Sequence, residues 1–470
     1  MRNTARDGAA FALAVLSVMS GACVVGPNYE RPCVDPPGAF RGETGAKPDA
    51  DGSASFGDEA WADVFQDPSL QSLIRTAIRQ NRDVNLAAAR VLEAQAQLGV
   101  TRADQFPTVG AGVDVLGERP SVALGFPPTN LAAFQVQGTV AWELDFWGRY
   151  RRATEAARAQ LLASEWGRRA VLMSLIGQVA NAYFGLRAFD HELDISRRTL
   201  ESRRESLRLT QVRERGGVTS LVDVRQAEQL VYGATGEIAT LERQIEQQEN
   251  FIRALVGDYP GPVERGLALV DEPHPPDLPP GLPSDLIERR PDIQQAEQQL
   301  VAANAEIGVA RAAYFPNISL TGSAGFESTA LSALFLGTNA IWSAALAATQ
   351  PVFTAGRTRS QVGVAQARRE EALIVYRQTI RDAFHDVSDA LVGYRKLREF
   401  HEQETLLLTS AQDARRLAEV RYQGGATSYL EVLDADTRQF EAELELARAN
   451  YSELAALVEL YRALGGGWAR

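Results

Sequence analysis

Hydrophobic and polar positions change period several times along this 470-residue chain. From Phe134 to Phe146, Phe134, Val136, Val140, Trp142, Leu144 and Phe146 alternate with Gln135, Gln137, Thr139, Glu143 and Asp145. A period of two puts the two sets on opposite faces of a strand. Thr108–Val115 and Asn317–Phe326 alternate more weakly, and Ile341–Phe353, rich in small residues, is read as a fourth strand. Helical spacing governs the rest. One helix is expected over Ser69–Arg102 and another over Ile293–Ala313, each followed by a proline. Gly148–Arg215 lies within a stretch free of proline from Pro128 to Pro260. A helix of that length is a rod of roughly 100 Å at ~1.5 Å per residue. Globular core helices average about 11 residues, so the rod needs partner helices all along. Ser220–Val256 supplies one as a return helix, and Tyr429–Leu464 is its counterpart in a stretch without proline after Pro351.

Double glycines punctuate these helices at Gly216-Gly217 and Gly424-Gly425, where a left-handed residue can end a helix. Thr219-Ser220 and Thr427-Ser428 are placed to cap the next one, with Asp223 and Glu431 in its first turn. The two turns are copies. Val212–Ser220 returns as Val420–Ser428 with six of nine positions identical. Phe106-Pro107 answers Phe315-Pro316, and Val179, Ala182, Gly185 and Arg187 answer Val387, Ala390, Gly393 and Arg395 at nearly the same offset. One offset held over so many sites marks a tandem duplication. The expected divisions are a signal peptide over 1–22, an N-terminal arm over 23–60, a first repeat over 61–265, a proline-rich connection over 266–291 and a second repeat over 292–470.

The start of the chain adds a compartment. Arg2 and Arg6 precede the apolar run Ala9–Met19 and then Ser20-Gly21-Ala22-Cys23, the layout of a secretory signal. The run falls short of the ~20 apolar residues of a spanning helix. Two readings of Cys23 stay open: a lipid-modified first residue of a lipoprotein, or a disulfide partner of Cys33, the second of two cysteines. A net charge of −12 argues against nucleic acid as a partner. The four histidines, His191, His274, His385 and His401, lack metal-ligand spacing, and no nucleophile elbow or phosphate loop occurs. No enzyme, metal or cofactor is therefore expected.

Two strands per repeat give four per chain. Four strands cannot close a barrel, and an open edge in lipid leaves backbone groups unsatisfied. A dimer would give eight strands, with an interior filled by side chains. A trimer would give twelve and leave a lumen.

Three segments resemble the TolC-type outer-membrane efflux channels, in particular the NodT-like lipoprotein branch serving RND pumps. They are Val25–Tyr29 with Arg31-Pro32, Gly281–Ile293, and Leu460–Trp468. The resemblance implies a homotrimer that joins a twelve-stranded membrane β-barrel to a long α-helical barrel in the periplasm. It implies a passive exit duct for small molecules, driven by an inner-membrane RND transporter through a periplasmic adaptor. Gly216, Gly217, Thr219, Ser220, Gly424, Gly425, Thr427 and Ser428 would then be adaptor-docking tips as well as turn and cap residues. Asp434 and Glu431 share a helix face, and with Tyr422 and Leu430 they would form a gate whose stacked acidic rings favour cations. On the residues alone, the two carboxylates also suit a solvated helix start. A lipid-anchored coiled-coil adhesin and a type I secretion duct are the competing readings.

Overall fold

The computed structural model describes residues 24–41, 55–119, 131–273, 278–281 and 283–468. The signal peptide, Cys23 and His274 lie outside the described residues. Eight helices of seven residues or more carry the described chain. They are α1 (Pro68–Gln80), α2 (Arg82–Ala103), α3 (Arg149–Arg215), α4 (Leu221–Val256), α5 (Pro283–Arg289), α6 (Pro291–Ala312), α7 (Arg357–Gln423) and α8 (Tyr429–Ala463). The strands are β1 (Thr108–Glu118), β2 (Leu131–Glu143), β3 (Asn317–Ser328) and β4 (Ala340–Thr349). Both rods, α3 and α7, have 67 residues.

The expected helix over Ser69–Arg102 is in fact two. Asn81 leaves helical geometry at ψ 136°. Its side-chain oxygen accepts from the Asp83 and Val84 amides while its nitrogen donates to the Leu255 carbonyl. The second repeat makes the same break with Pro291, which stands at the first position of α6 and lacks the N–H that a continuous helix would need. The strand ends shift too. β2 ends at Glu143 rather than Phe146, because the chain turns there into α3 through Gly148 at φ +77°. β4 ends before Pro351, which cannot donate to a ladder.

Two compact units result, each with pieces of both repeats. The first comprises Met1–Cys33, Arg90–Ser164 and Gln295–Arg377. It holds one antiparallel sheet in the order β1-β2-β3-β4. The register pairs Val109 with Val140, Val113 with Val136, Trp142 with Leu320, Leu320 with Leu346 and Ala324 with Trp342. Directly opposed residues share a face, so these residues and the small ones between them make one uncharged apolar face. It is exposed: Trp342 is 81% accessible and Val109 78%. The other face carries Gln135, Gln137, Thr139, Thr321 and Ser343, with the carboxylates of Asp114, Glu118, Glu143 and Glu327. The strands contain no Lys or Arg. Strands of 10 to 13 residues match the 9–11 or so needed to cross a bilayer. Among the described residues, β1 and β4 each have an unpaired outer edge, and no helix is long and apolar enough to cross a membrane.

The N-terminal arm is pinned within this same unit. Val25 N–H donates to the Trp147 carbonyl at 3.0 Å, Arg152 donates to Asn28 Oδ1 at 2.7 Å, and Asn304 donates to the Pro27 carbonyl at 3.1 Å. Tyr29 and Arg31 both donate to Glu297, at 3.1 and 2.6 Å. Gly26, at φ +105°, lies against Gly308 so closely that a Cβ there would meet the Gly308 Cα at 2.5 Å.

The second unit comprises Val34–Ala89, Glu165–Gln294 and Gln378–Arg470. Its cores are seams between helices. Leu186, Leu193, Leu241, Ile245 and Ile252 join α3 to α4, while Ile195, Leu444 and Ala447 join α3 to α8. Such continuous apolar seams are what long exposed rods require. The inter-repeat strap is tied down at Asp67, whose buried carboxylate accepts from Tyr183 Oη at 2.7 Å and from the Leu267 amide at 2.8 Å. Arg290 is buried between Asp292 and Asp386, at 2.7 and 2.9 Å. The C-terminal Tyr461 donates to the Glu59 carbonyl at 2.6 Å.

Candidate functional site

Both helical hairpins turn through the same backbone. Gly217 and Gly425 each sit at φ +71°. The Val218 amide reaches back to the Arg213 carbonyl and the Gly217 amide to Glu214, both at 2.9 Å. Ala426 to Arg421 at 2.9 Å and Gly425 to Tyr422 at 3.0 Å repeat the pair. These two bonds make the Schellman closure, which satisfies carbonyls orphaned at the helix end. A side chain at either left-handed position would be strained, which is why each turn holds glycine there.

The caps differ. Ser220 and Asp223 form a reciprocal capping box, and Thr219 also donates to the Asp223 carboxylate. The Thr219 hydroxyl, then the Ser220 amide, hold Asp223 below the usual carboxylate range. In the second hairpin Ser428 occupies the N-cap position, but its side chain caps nothing. This corrects the expectation that both serines cap. Thr427 donates instead to the Glu431 carboxylate, which is therefore drawn toward the turn and not back to the Ser428 amide.

Of the expected gate residues, Tyr422 packs its ring tilted against that of Tyr429, centroids 5.3 Å apart across the turn, with Arg213 of the first hairpin 5.0 Å over the Tyr422 ring. Tyr429 and Leu433 pack on Ala227 of α4, so the second hairpin lies against the first. Leu430 and Asp434 are exposed and Glu431 is half-buried. Each carboxylate has a basic neighbour that sequence reading missed: Arg438 at 3.0 Å from Asp434 and Arg421 at 3.6 Å from Glu431. The first pair is one helical turn apart and was readable. The second depends on the turn bringing α7 back beside α8. Further along, Asp436 bridges Arg203 of α3 and Arg415 of α7, at 2.8 and 3.3 Å. Arg203 is 94% buried, donates to the Leu230 carbonyl and lies 4.8 Å over the Phe440 ring. No sequence signal linked residues 233 positions apart.

Among the described residues no cluster of His, Cys, Asp or Glu could hold a metal ion. What the chain offers is a membrane-suited sheet, two long hairpins and two exposed turns. The sequence profile of outer membrane efflux proteins matches residues 73–258 and again 282–466. The chain belongs to the outer membrane efflux protein family. This efflux protein is 36% identical over 464 residues to the toluene efflux pump outer membrane protein TtgC of Pseudomonas putida, covering 97% of this chain and 95% of that one. It is 33% identical over 463 residues to the probable outer membrane lipoprotein SilC of Salmonella typhimurium, covering 97% and 98%. Its fold matches the open-state MtrE outer membrane channel of Neisseria gonorrhoeae with a TM-score of 0.86 at 32% identity, covering 95% of this chain and 99% of that one. An exposed apolar face backed by a carboxylate-bearing one is the alternation that strands of an outer-membrane barrel require.

Proposed function

We propose that the chain works as a homotrimer: three four-stranded sheets close a twelve-stranded barrel, and the hairpins complete a helical duct into the periplasm. The carrying observation is the sheet, with one exposed apolar face and two unpaired edges. Such edges are untenable in lipid unless a neighbour pairs them. The duct does no chemistry. A periplasmic adaptor docks at the two tips and couples them to an inner-membrane RND transporter, which drives small molecules out. Exposed Val218, Leu221 and Val222 beside the first turn give that contact an apolar patch. Cys23 carries the lipid. Support comes from Val24, which packs against Gly148 at the junction of β2 and α3, where the strand leaves the membrane. SilC, a relative along nearly the whole chain, is named a lipoprotein.

In this reading Tyr422, Leu430, Glu431 and Asp434 constrict the duct near its mouth. The acid rings are offset by Arg438 and Arg421, so cation preference is weaker than bare carboxylate rings would give.

The mass of the solubilised complex, measured by light scattering with detergent subtracted, tests the trimer. Three chains are expected; a monomer or dimer would overturn the twelve-stranded barrel. Crosslinking in cells from cysteines at 218 and 426, read by mass spectrometry, tests the tips. An adaptor should be captured there and not from cysteines placed mid-helix on α4.

A further inference from the structure

β3 follows α6 and β4 leads into α7, so the loop joining the two strands stands at the end of the sheet opposite those helices. In the duct reading that is the outer end. The loop, residues 329–339, belongs to a stretch from 328 to 356 without one charged side chain. Leu331, Phe335 and Leu336 are 64%, 69% and 56% exposed, while Leu334 among them is buried. Contiguous apolar surface of this kind marks a contact with protein or membrane. The loop is also well formed. Two 3-10 turns, Leu331–Ala333 and Gly337–Asn339, fold it back on itself. The amides of Ala333, Leu334, Leu336 and Asn339 donate to the carbonyls of Ala330, Leu331, Ala333 and Leu336 at 2.9–3.3 Å. Asn339 Nδ2 donates to the Ala333 carbonyl at 2.7 Å, and the Ser328 hydroxyl accepts from the Ala330 amide at 3.2 Å. Groups met inside the loop lower the cost of leaving water.

Its direction decides between occupants. Phe326 stands opposite Val136 on the apolar face of the sheet. Phe335 packs edge-on against that Phe326 ring, centroids 5.6 Å apart. The loop thus leans toward the apolar face, away from the face that carries the carboxylates. Trp342, on the same apolar face and 81% exposed, continues the patch into β4.

We propose that this loop docks on the outer leaflet of the membrane. Leu331, Phe335 and Leu336 enter the boundary between headgroups and acyl chains, at the depth of about 5–10 Å usual for interfacial segments. The uncharged Thr329, Ser332 and Thr338 remain at headgroup level. The apolar face of the sheet is thereby extended into a collar that fixes its height in the bilayer. The proposal rests on the placement of the sheet in lipid and not on how many chains close the barrel.

Fluorescence quenching on the full chain in phosphatidylcholine vesicles tests it. Leu331→Cys, Phe335→Cys and Leu336→Cys are made singly in a Cys33→Ser chain and labelled with bimane, and the signal of Cys33→Ser alone is subtracted. Leu346→Cys on the apolar face and the 88% exposed Tyr259→Cys serve as lipid and water references. At each loop position a lipid with its nitroxide high on the acyl chain should quench more than one with the nitroxide near the chain end. Acrylamide in the water should quench less than at 259. All three side chains are exposed, so any one variant that assembles reads the result. Loop positions quenched by acrylamide as strongly as 259, with 346 quenched from the lipid, would overturn the docking and leave the sheet reading intact. Shielding from both quenchers would seat the loop against protein and overturn it as well. Quenching of 346 by acrylamide and not by lipid would remove the sheet from the membrane, and the collar with it.

Discussion

The two hairpin tips share a backbone and differ in what holds them. Gly216-Gly217 and Gly424-Gly425 close identical Schellman turns, yet the first tip is secured by its own capping box and the second by contact with its neighbours. Ser220 and Asp223 cap α4 from within four residues. On α8 the uncapped Ser428 is compensated by Tyr429 and Leu433, which bury against Ala227, and by Asp436, which ties α8 to α3 and α7. A locally capped turn keeps its form whatever surrounds it. A turn held by long-range contacts can be released by breaking them. Duplication thus produced one self-sufficient hairpin and one dependent one, and the dependent one carries Asp434.

The largest effect should come from the dependence itself. Replacing Asp436 by Ala leaves Arg203 buried without its carboxylate, a loss of about 3–5 kcal/mol. At the matching position of the first repeat, Glu228 pairs, among the described residues, with the exposed Arg225, and Glu228→Ala should cost less than about 1 kcal/mol. Hydrogen exchange should show α8 amides near the tip losing protection in the first variant, with both hairpins unchanged in the second. Equal effects would mean that the two hairpins are held alike. Next in size, Gly217→Ala and Gly425→Ala each put a side chain at φ +71° and should cost about 1–2 kcal/mol apiece. Here the hairpins should agree, since the backbone is common to both; thermal melts of the two variants measure it.

How legible this was in the sequence follows the same division. Local devices could be read. The alternation in Phe134–Phe146, the prolines bounding the rods and the paired glycines each act within a few residues, and each marked an element the structure contains. Boundaries set by distant partners could not. Asn81 breaks a helix that periodicity reads as continuous because its amide reaches the Leu255 carbonyl, 174 residues away. The functional residues divide likewise. Asp434 with Arg438 is one helical turn, whereas Arg203–Asp436–Arg415 exists only once three helices have packed. The capping of Ser428 was misread because the copied Thr-Ser pair suggested copied chemistry. One changed residue, Glu431 for Asp223, has a longer side chain, and the structure pairs it with Thr427 and Arg421.

That difference makes a third, smaller comparison. Ser220→Ala removes a working cap and should cost about 1 kcal/mol, while Ser428→Ala should be close to neutral. Acid should reveal the first cap as well. The folded-state acidity of Asp223 is strengthened, so its contribution is complete above the ordinary carboxylate pKa and is lost as pH falls through the depressed one. Exchange rates at Ser220 and Asp223 amides between pH 5 and 2, compared with those of Ser220→Ala, would show it; a wild-type tip that follows the variant at every pH would remove the capping box from the account.

The smallest expected effect bears most directly on conduction. Asp434 and Arg438 stand where the first repeat has Gln226 and Leu230, so the charge pair belongs to the dependent hairpin alone. The pair is exposed, with 60% and 73% of the two side chains accessible, and contributes only about 0–1 kcal/mol to folding. In the proposed gate its weight would lie in the field at the mouth of the duct. Arg438→Ala would leave three unpartnered Asp434 carboxylates in a trimer and should raise the cation-to-anion permeability ratio in planar bilayers by about twofold. Asp434→Ala should lower that ratio and widen the pore, while Gln226→Ala changes neither. Salt distinguishes charge from shape, because near 1 M the screening length falls to about 3 Å. The selectivity change in Arg438→Ala should then collapse, whereas any widening in Asp434→Ala should persist. A selectivity unmoved by either substitution at low salt would take the gate away from this helix turn and leave its acids as the solvated start of α8.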